Sequence, residues 1–477
     1  MSYLDKQQIE AYVPFQLTDD GKTPLTRAQE RMESNNQWHP AQLMGRRWSI
    51  GCVALEITQR CNLDCTLCYL SESSEALKDI PLEEVYRRID MILAHYGPNT
   101  DVQVTGGDPT LRKRDELVAI VRRISERGMR PSLLTNGIKA TRDMLEELAQ
   151  AGLVDVAFHV DMTQERKGYA TEMELNEIRL EYIERARGLP ISVFFNTTAY
   201  DGNFHEISDL VKFFVAQSDV VRFVSFQLQA DTGRGVLQER GFAITQETVT
   251  EKINAATGTK VHFGAIDTGH PHCNRYGMTL VANGNVYDLM DEPGFIADFL
   301  DSTAHLTFDR TNRKAVMNTL FDWAVKNPGM LTSGLGWTSK KLWRMKLDLL
   351  KAKGKVNKLT FFIHNFMDAC HLDKERIDAC VFMVATRDGP ISMCLHNAKR
   401  DQYLLQPIEV KTENKLRFWN PVTGKLQDSL PNKIEVRHTR KTARGRAKQV
   451  LDKERAANHK VAGKDAPVQS SLSDVES

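Results

Sequence analysis

An α/β fold built from repeated strand–helix units is what this sequence predicts, and three observations predict it. From Cys52 to about Gly235, short β-rich runs alternate with amphipathic helical patterns. Several helical patterns stop at a glycine, as at Gly97, Gly128 and Gly152. Each strand candidate also runs into a polar or glycine-rich loop.

The strand candidates are 52–58 (CVALEIT), 101–105 (DVQVT), 131–135 (PSLLT), 154–160 (VDVAFHV), 190–197 (PISVFFNT) and 219–228 (DVVRFVSFQL). Helical patterns lie between them near 82–95, 111–127, 140–150, 171–187 and 205–216. Six units of this kind either curl into a partial barrel or lie open as a doubly wound sheet. The loops favour the barrel, because α/β barrels gather their functional residues at the C-terminal ends of the strands. Those loops carry a cysteine cluster, Gly106-Gly107-Asp108-Pro109, Thr135-Asn136-Gly137, His159 with Asp161, Asn196-Thr197-Thr198, and Gln227 with Gln229 and Asp231. In the first strand Val53, Leu55 and Ile57 alternate with Cys52, Ala54, Glu56 and Thr58, so the apolar face meets helices and Cys52 reads as packing.

Residues 1–50 form an N-terminal extension, 51–240 the barrel, 241–430 a smaller α+β domain, and 431–477 a basic then acidic tail without a packed core. Two turn signals mark the later domain. Asn283-Gly284 predicts a two-residue hairpin, and Asp388-Gly389 a return between CVFMVAT and the run holding Cys394.

The chain has 477 residues, a formal charge of +1, and 41% hydrophobic and 26% charged residues. This balance argues against a nucleic-acid partner, and no apolar run approaches the roughly 18 residues of a membrane helix. The start, Met-Ser-Tyr-Leu-Asp-Lys, lacks an export signal, which points to a cytoplasmic protein with reduced thiols. Eight cysteines in a reducing compartment point to metal binding or catalysis rather than disulfides.

Cys61, Cys65 and Cys68 form a CxxxCxxC loop followed by Tyr69, directly after the first strand. One compact loop of this spacing directs three thiolates at three corners of a four-iron four-sulfur (4Fe–4S) cluster and leaves the fourth iron open. Structural zinc would need a fourth ligand within reach, and the loop holds none.

The loop, together with Gly106-Gly107-Asp108-Pro109, resembles the radical S-adenosylmethionine (SAM) enzymes. The resemblance implies a partial (βα)6 barrel in which Cys61, Cys65 and Cys68 hold the cluster and SAM chelates the open iron. It places Tyr69 near the adenine and the Gly106, Gly107 and Asp108 loop at the SAM amino group, with Asp where Glu is commoner in the family. Reductive cleavage of SAM would then yield a 5'-deoxyadenosyl radical that removes hydrogen from an unactivated carbon. Asn136, Asp161 and Asn196 are further candidates for contacts with SAM or the substrate.

Three segments narrow the resemblance: Phe158 to Gln164, Leu175 through Thr198, and Ser225 to Gly235. They are similar to the branch that includes archaeal tetraether lipid synthase and the class D radical SAM methylases. This implies a transferase that forms C–C bonds or methylates, a lipid chain as substrate, and an electron donor such as flavodoxin or ferredoxin. The absence of Cys from the first 50 residues departs from the metal-rich archaeal relatives.

Cys273, Cys370, Cys380 and Cys394 number enough to ligate a second 4Fe–4S cluster; buried thiols, or zinc aided by His270, His272, His371 and His396, are the alternatives. A strand hairpin would return Cys394 to within roughly 10 Å of Cys380. The segment from Gly336 to Leu359 mixes Lys and Arg with Trp, Leu and Met, and either lies on an anionic membrane or covers the core as a solvated helix. Two other functions stay open: maturation of a peptide or nucleic acid by radical SAM chemistry, and a non-enzymatic iron–sulfur or zinc protein.

Overall fold

A computed structural model describes residues 3–236, 240–411, 415–431 and 434–436. The tail from 437 onward, read above as basic and then acidic, lies outside the described residues.

The six expected strands form β1 (Cys52–Thr58), β2 (Asp101–Gly106), β3 (Arg130–Thr135), β4 (Asp155–His159), β5 (Ser192–Ala199) and β6 (Val221–Leu228), all parallel neighbours in chain order. Helices Leu82–Tyr96, Arg114–Glu126, Arg142–Gln150, Asn176–Ala186 and Ile207–Ala216 connect them. Val53, Leu55 and Ile57 are fully buried in one apolar cluster with Ile89, Ile92 and Ile120 from the helices. Alternation sends Phe195, Val224 and Phe226 to that helix-facing core, and their neighbours Phe194, Ser225 and Gln227 to the opposite, concave face. Gly97, with φ 79°, ends the first connecting helix at its C-cap in a positive-φ conformation that glycine adopts without strain.

The later chain departs from expectation. It supplies β7 (Asn274–Ala282), β8 (Asn285–Asp288), β9 (Asn357–Asn365), β10 (Phe382–Ala385) and β11 (Pro390–Ser392), and all five join the same eleven-stranded sheet. β9 pairs parallel with β6 on one flank, and β10 pairs parallel with β1 on the other. The residue-240 boundary therefore does not divide the sheet. Among the described residues, only β12 (Ile408–Lys411), β13 (Leu416–Trp419) and β14 (Leu426–Gln427) form a separate small antiparallel sheet.

Eight parallel strands, from β10 through β9, thus form one run, and the run curls. Its end strands meet across the concave side, with the rings of Phe362 and Phe382 6.1 Å apart and those of His364 and Phe382 5.0 Å apart. The concave wall between is aromatic: Phe194 and Phe223 lie 4.9 Å apart, Phe223 and Phe362 5.5 Å, and Tyr276 and Phe362 4.5 Å.

Both hairpin signals correspond to turns. Asn283 and Gly284 both take positive φ, 52° and 78°, between β7 and β8. Asp388-Gly389 lies in the β10–β11 connection, but the chain turns into a helix at Met393. Cys394 therefore sits on a helix, not on a returning strand.

Candidate active site

The cysteine loop follows β1 at the C-terminal rim and has no regular ladder of its own, so its backbone groups need partners from elsewhere. The segment after β6 supplies three. Arg234 N–H donates to Leu70 O (2.7 Å), Gly235 N–H to Cys68 O (3.1 Å) and Val236 N–H to Thr66 O (2.7 Å). From the β4 side, Thr163 O accepts from Thr66 N–H at 2.8 Å. The fit is close: a Cβ on Gly233 would stand 2.3 Å from Tyr69 O, and one on Gly235 3.1 Å from Cys68 N.

The β4 end that meets this loop is itself fixed by a buried ion pair. Arg179 and Glu172 are both fully buried and joined side chain to side chain. Arg179 also donates to Val160 O (2.8 Å), while Glu172 accepts from Met162 N–H (2.9 Å) and Asn203 Nδ2 (2.7 Å). Asp161, also fully buried, accepts from His159 Nε2 (2.7 Å), Thr163 N–H (3.0 Å) and Thr198 N–H (2.8 Å). Burial alone would push the Asp161 carboxyl up and the His159 imidazole down. Their mutual attraction wins, holding Asp161 below the ordinary carboxylate range and raising His159.

Gly106-Gly107-Asp108 presses against the end of β1. A Cβ would stand 1.9 Å from Thr58 O at Gly106 and 2.0 Å from Arg60 O at Gly107, so only glycine fits. Gly107 N–H donates to Thr58 O at 2.9 Å, and Asp108 N–H to Arg60 O at 2.8 Å. Asp108 is fully buried and accepts from Thr110 N–H (3.0 Å), Thr135 Oγ1 (2.9 Å) and Asn136 N–H (2.9 Å). Its carboxylate thus ties the β2 loop to the β3 loop. Asn136 Nδ2 donates to Asn62 Oδ1 at 2.6 Å and lies 3.9 Å from Cys61 Sγ. Asn196 and His159 pair in register on the concave face near the mouth, where both are half-buried.

The aromatic after the third cysteine is held from far along the chain. Tyr69 O–H donates to Gly106 O, and the Arg400 guanidinium lies 4.6 Å from the Tyr69 ring centroid. Arg400 also donates to Glu56 Oε1 on β1 at 2.6 Å. Burial would push the Glu56 carboxyl up, but Arg400 and His396 pull it down to about 2. Arg400 was not foreseen: no short-range sequence signal links residue 400 to a loop near residue 69.

The donor set suits a metal cluster. Cys61, Cys65 and Cys68 are neighbours, and burial pushes the Cys61 thiol up to about 11. Burial and then the adjacent Cys68 raise Cys65 well above an ordinary thiol. Thiols that resist ionisation on grounds of charge alone become ligands when a cationic iron cluster supplies the opposite charge. Among the described residues, no three His, Cys, Asp or Glu side chains converge as ligands of one metal ion. The thiolates of a 4Fe–4S cluster need no such convergence, because each binds a different iron.

Of the late cysteines, Cys273, Cys380 and Cys394 line one cavity with His270, His364 and Arg376. Arg376 Nε lies 3.2 Å from Cys273 Sγ. Cys370 is not among the lining residues; it is exposed, 3.2 Å from its neighbour His371. The four late cysteines thus divide three and one.

Residues 55–214 match the family model described as the radical SAM superfamily. A 7,8-dihydro-6-hydroxymethylpterin dimethyltransferase of Methanocaldococcus jannaschii is 23% identical over 410 residues, 75% of this chain and 79% of that protein. A PqqA peptide cyclase of Bradyrhizobium diazoefficiens is 31% identical over 165 residues, 34% of this chain and 42% of the cyclase. Among solved structures, Streptococcus suis SuiB bound to its precursor peptide SuiA aligns at a TM-score of 0.36 and 13% identity, covering 52% of this chain and 54% of SuiB. The chain therefore spans about half or less of the cyclase and of SuiB. The matched residues form a radical SAM domain. The cofactors of that family are a 4Fe–4S cluster and SAM, and the relatives named here are enzymes.

Two outcomes test this site. Replacing Cys61, Cys65 and Cys68 together by Ala abolishes 5'-deoxyadenosine formation in the anaerobically reconstituted, reduced protein; nucleoside formation at the wild-type rate by the triple variant refutes the ligand set. Arg179→Ala strands Glu172 as a buried unpaired charge, so urea unfolding should show a loss of about 3–5 kcal/mol, and a loss below about 1 kcal/mol contradicts the role given to the pair.

Proposed function

We propose that this enzyme forms a C–C bond at an unactivated carbon of a lipid chain, by coupling or by methylation. The observation that carries the lipid reading is the concave wall of Phe194, Phe223, Tyr276 and Phe362 below a polar mouth containing His159, Asn196 and Gln227. An alkyl chain can lie along such a wall with its polar end at the mouth. Similarity to a dimethyltransferase over three-quarters of the chain supports carbon-transfer chemistry.

Cys61, Cys65 and Cys68 would hold the cluster, with Tyr69 and the Gly106–Asp108 loop beside the SAM it binds. The bound pair supplies one-electron cleavage of SAM and, through it, removal of a hydrogen atom from carbon. Joining two such carbons would remove one hydrogen atom from each, and so would consume two SAM and two electrons from a low-potential donor such as flavodoxin or ferredoxin. The chain's own part is positional. The aromatic wall holds the target carbon and excludes water, and Arg400 fixes Tyr69 at the rim.

A second 4Fe–4S cluster is assigned to the cavity of Cys273, Cys380 and Cys394, with His270 or His364 as the remaining candidate ligand and Cys370 outside it. Burial pushes His364 down to about 3, which leaves a neutral imidazole available to a metal. Iron analysis after complete reconstitution should give about eight irons per chain. A value near four with every cysteine intact rejects the second cluster.

The lipid reading places the enzyme at the inner membrane face. Lipids from cells with and without the protein should differ, with coupled species lacking two hydrogens per new bond or methylated species one methylene heavier. Unchanged lipids, alongside a modified soluble peptide, overturn it in favour of peptide modification, a reading the peptide cyclase relative supports.

A further inference from the structure

In the two-helix segment of residues 313–351, the long helix is seated chiefly through charged side chains. The long helix Pro328–Lys351 buries Lys341, Met345 and Asp348, a single stripe at helical spacing. Lys341 Nζ donates to Asp288 O at 2.7 Å and pairs with Asp291. The Asp348 carboxylate accepts from Asn283 Nδ2 (2.9 Å), Asn285 Nδ2 (2.8 Å) and Tyr287 O–H. Two charged pegs therefore fasten the helix to the β7–β8 hairpin.

Several of its large apolar residues are left outside. Leu342 is 53% exposed, Trp343 70%, Leu347 63% and Leu350 76%. The preceding helix, Arg313–Lys326, buries Trp323 and leaves Met317, Phe321 and Val325, spaced four apart, 58–69% exposed. Single exposed apolar residues are ordinary, but a run of them along two packed helices marks a surface made for another phase or molecule.

Charge decides which. Residues 313–355 contain ten Lys and Arg against two acids, Asp322 and Asp348, and Asp348 is one of the buried pegs. Lys346 Nζ sits 3.4 Å over the Trp343 ring, which places a cation at the edge of the apolar face. A second copy laid on this surface would bring like charge against like charge. An anionic bilayer offers apolar depth and opposite charge together. No described helix is long and apolar enough to cross a membrane.

We propose that this helical pair docks the enzyme on an anionic bilayer, lying in the headgroup plane with Trp343, Leu347 and Leu350 inserted. The helical pair is fastened at the β7–β8 turn, at the end of the barrel opposite the mouth, so the docking concentrates the enzyme at the bilayer without seating the mouth on it; only the use made of that docking rests on the proposed lipid function. The docking itself is measured without turnover.

Full-length protein is sedimented with vesicles of neutral phosphatidylcholine, or of phosphatidylcholine mixed with phosphatidylglycerol, at low and high salt. Binding should require the anionic lipid and weaken as salt rises. Trp343→Asp with Leu347→Asp should weaken binding by at least about tenfold while thermal unfolding stays unchanged, because both side chains point to solvent. Trp343→Phe should restore most of the binding when Leu347 is kept. Absence of binding at low salt, or equal binding by the double Asp variant, overturns the proposal. So does concentration-dependent dimerisation that the Asp substitutions abolish. Modification of detergent-dispersed lipid without vesicle binding refutes the docking alone, and vesicle binding without any modified lipid refutes the lipid function alone.

Discussion

An irregular loop at a barrel rim must find a partner for every buried amide it presents, and here that requirement organises the site. The cysteine loop borrows its hydrogen bonds from the segment after β6 and from Thr163 after β4. Those suppliers are fixed in turn: Thr163 by Asp161, Asp161 by His159 and Thr198, and the surrounding turn by the Glu172–Arg179 pair. The rim is a set of strand ends braced against one another, and the three thiols are where the braces converge.

The same rim explains its unusual residue types. Gly106 and Gly107 are required by β1 itself, whose carbonyl oxygens lie where any Cβ would go. Asp108 spends its carboxylate on Thr110, Thr135 and Asn136, so a shorter acid than glutamate serves a tie between neighbouring loops. Tyr69 is held between Gly106 and Arg400, and Arg400 is charge-balanced by Glu56 on the first strand. A site that looks local in sequence is thus closed by a residue more than three hundred positions away.

What the sequence made legible was periodic and short-range. The alternation in CVALEIT and VDVAFHV fixed strands and faces, and Asn283-Gly284 fixed a hairpin, because each depends on neighbours within a few residues. Nothing of that range marks β9 or β10 as partners of β6 and β1, so the later chain read as a separate domain although it completes the sheet. The same limit applies to the cysteines. The spacing of Cys61, Cys65 and Cys68 carries its own geometry, whereas Cys394 was placed beside Cys380 by a strand hairpin that gives way to a helix at Met393.

The pairing of Cys52 with Phe382 also has a temporal side. A ribosome releases β1 long before it makes β10, and at about 5–20 residues per second the interval is on the order of half a minute. Throughout it, one edge of the nascent sheet is bare, beside three unligated thiols. Such an edge invites pairing with another chain, and free thiols invite oxidation. The chain is therefore exposed to mispairing and to thiol oxidation during its own synthesis, before the finished fold can protect it.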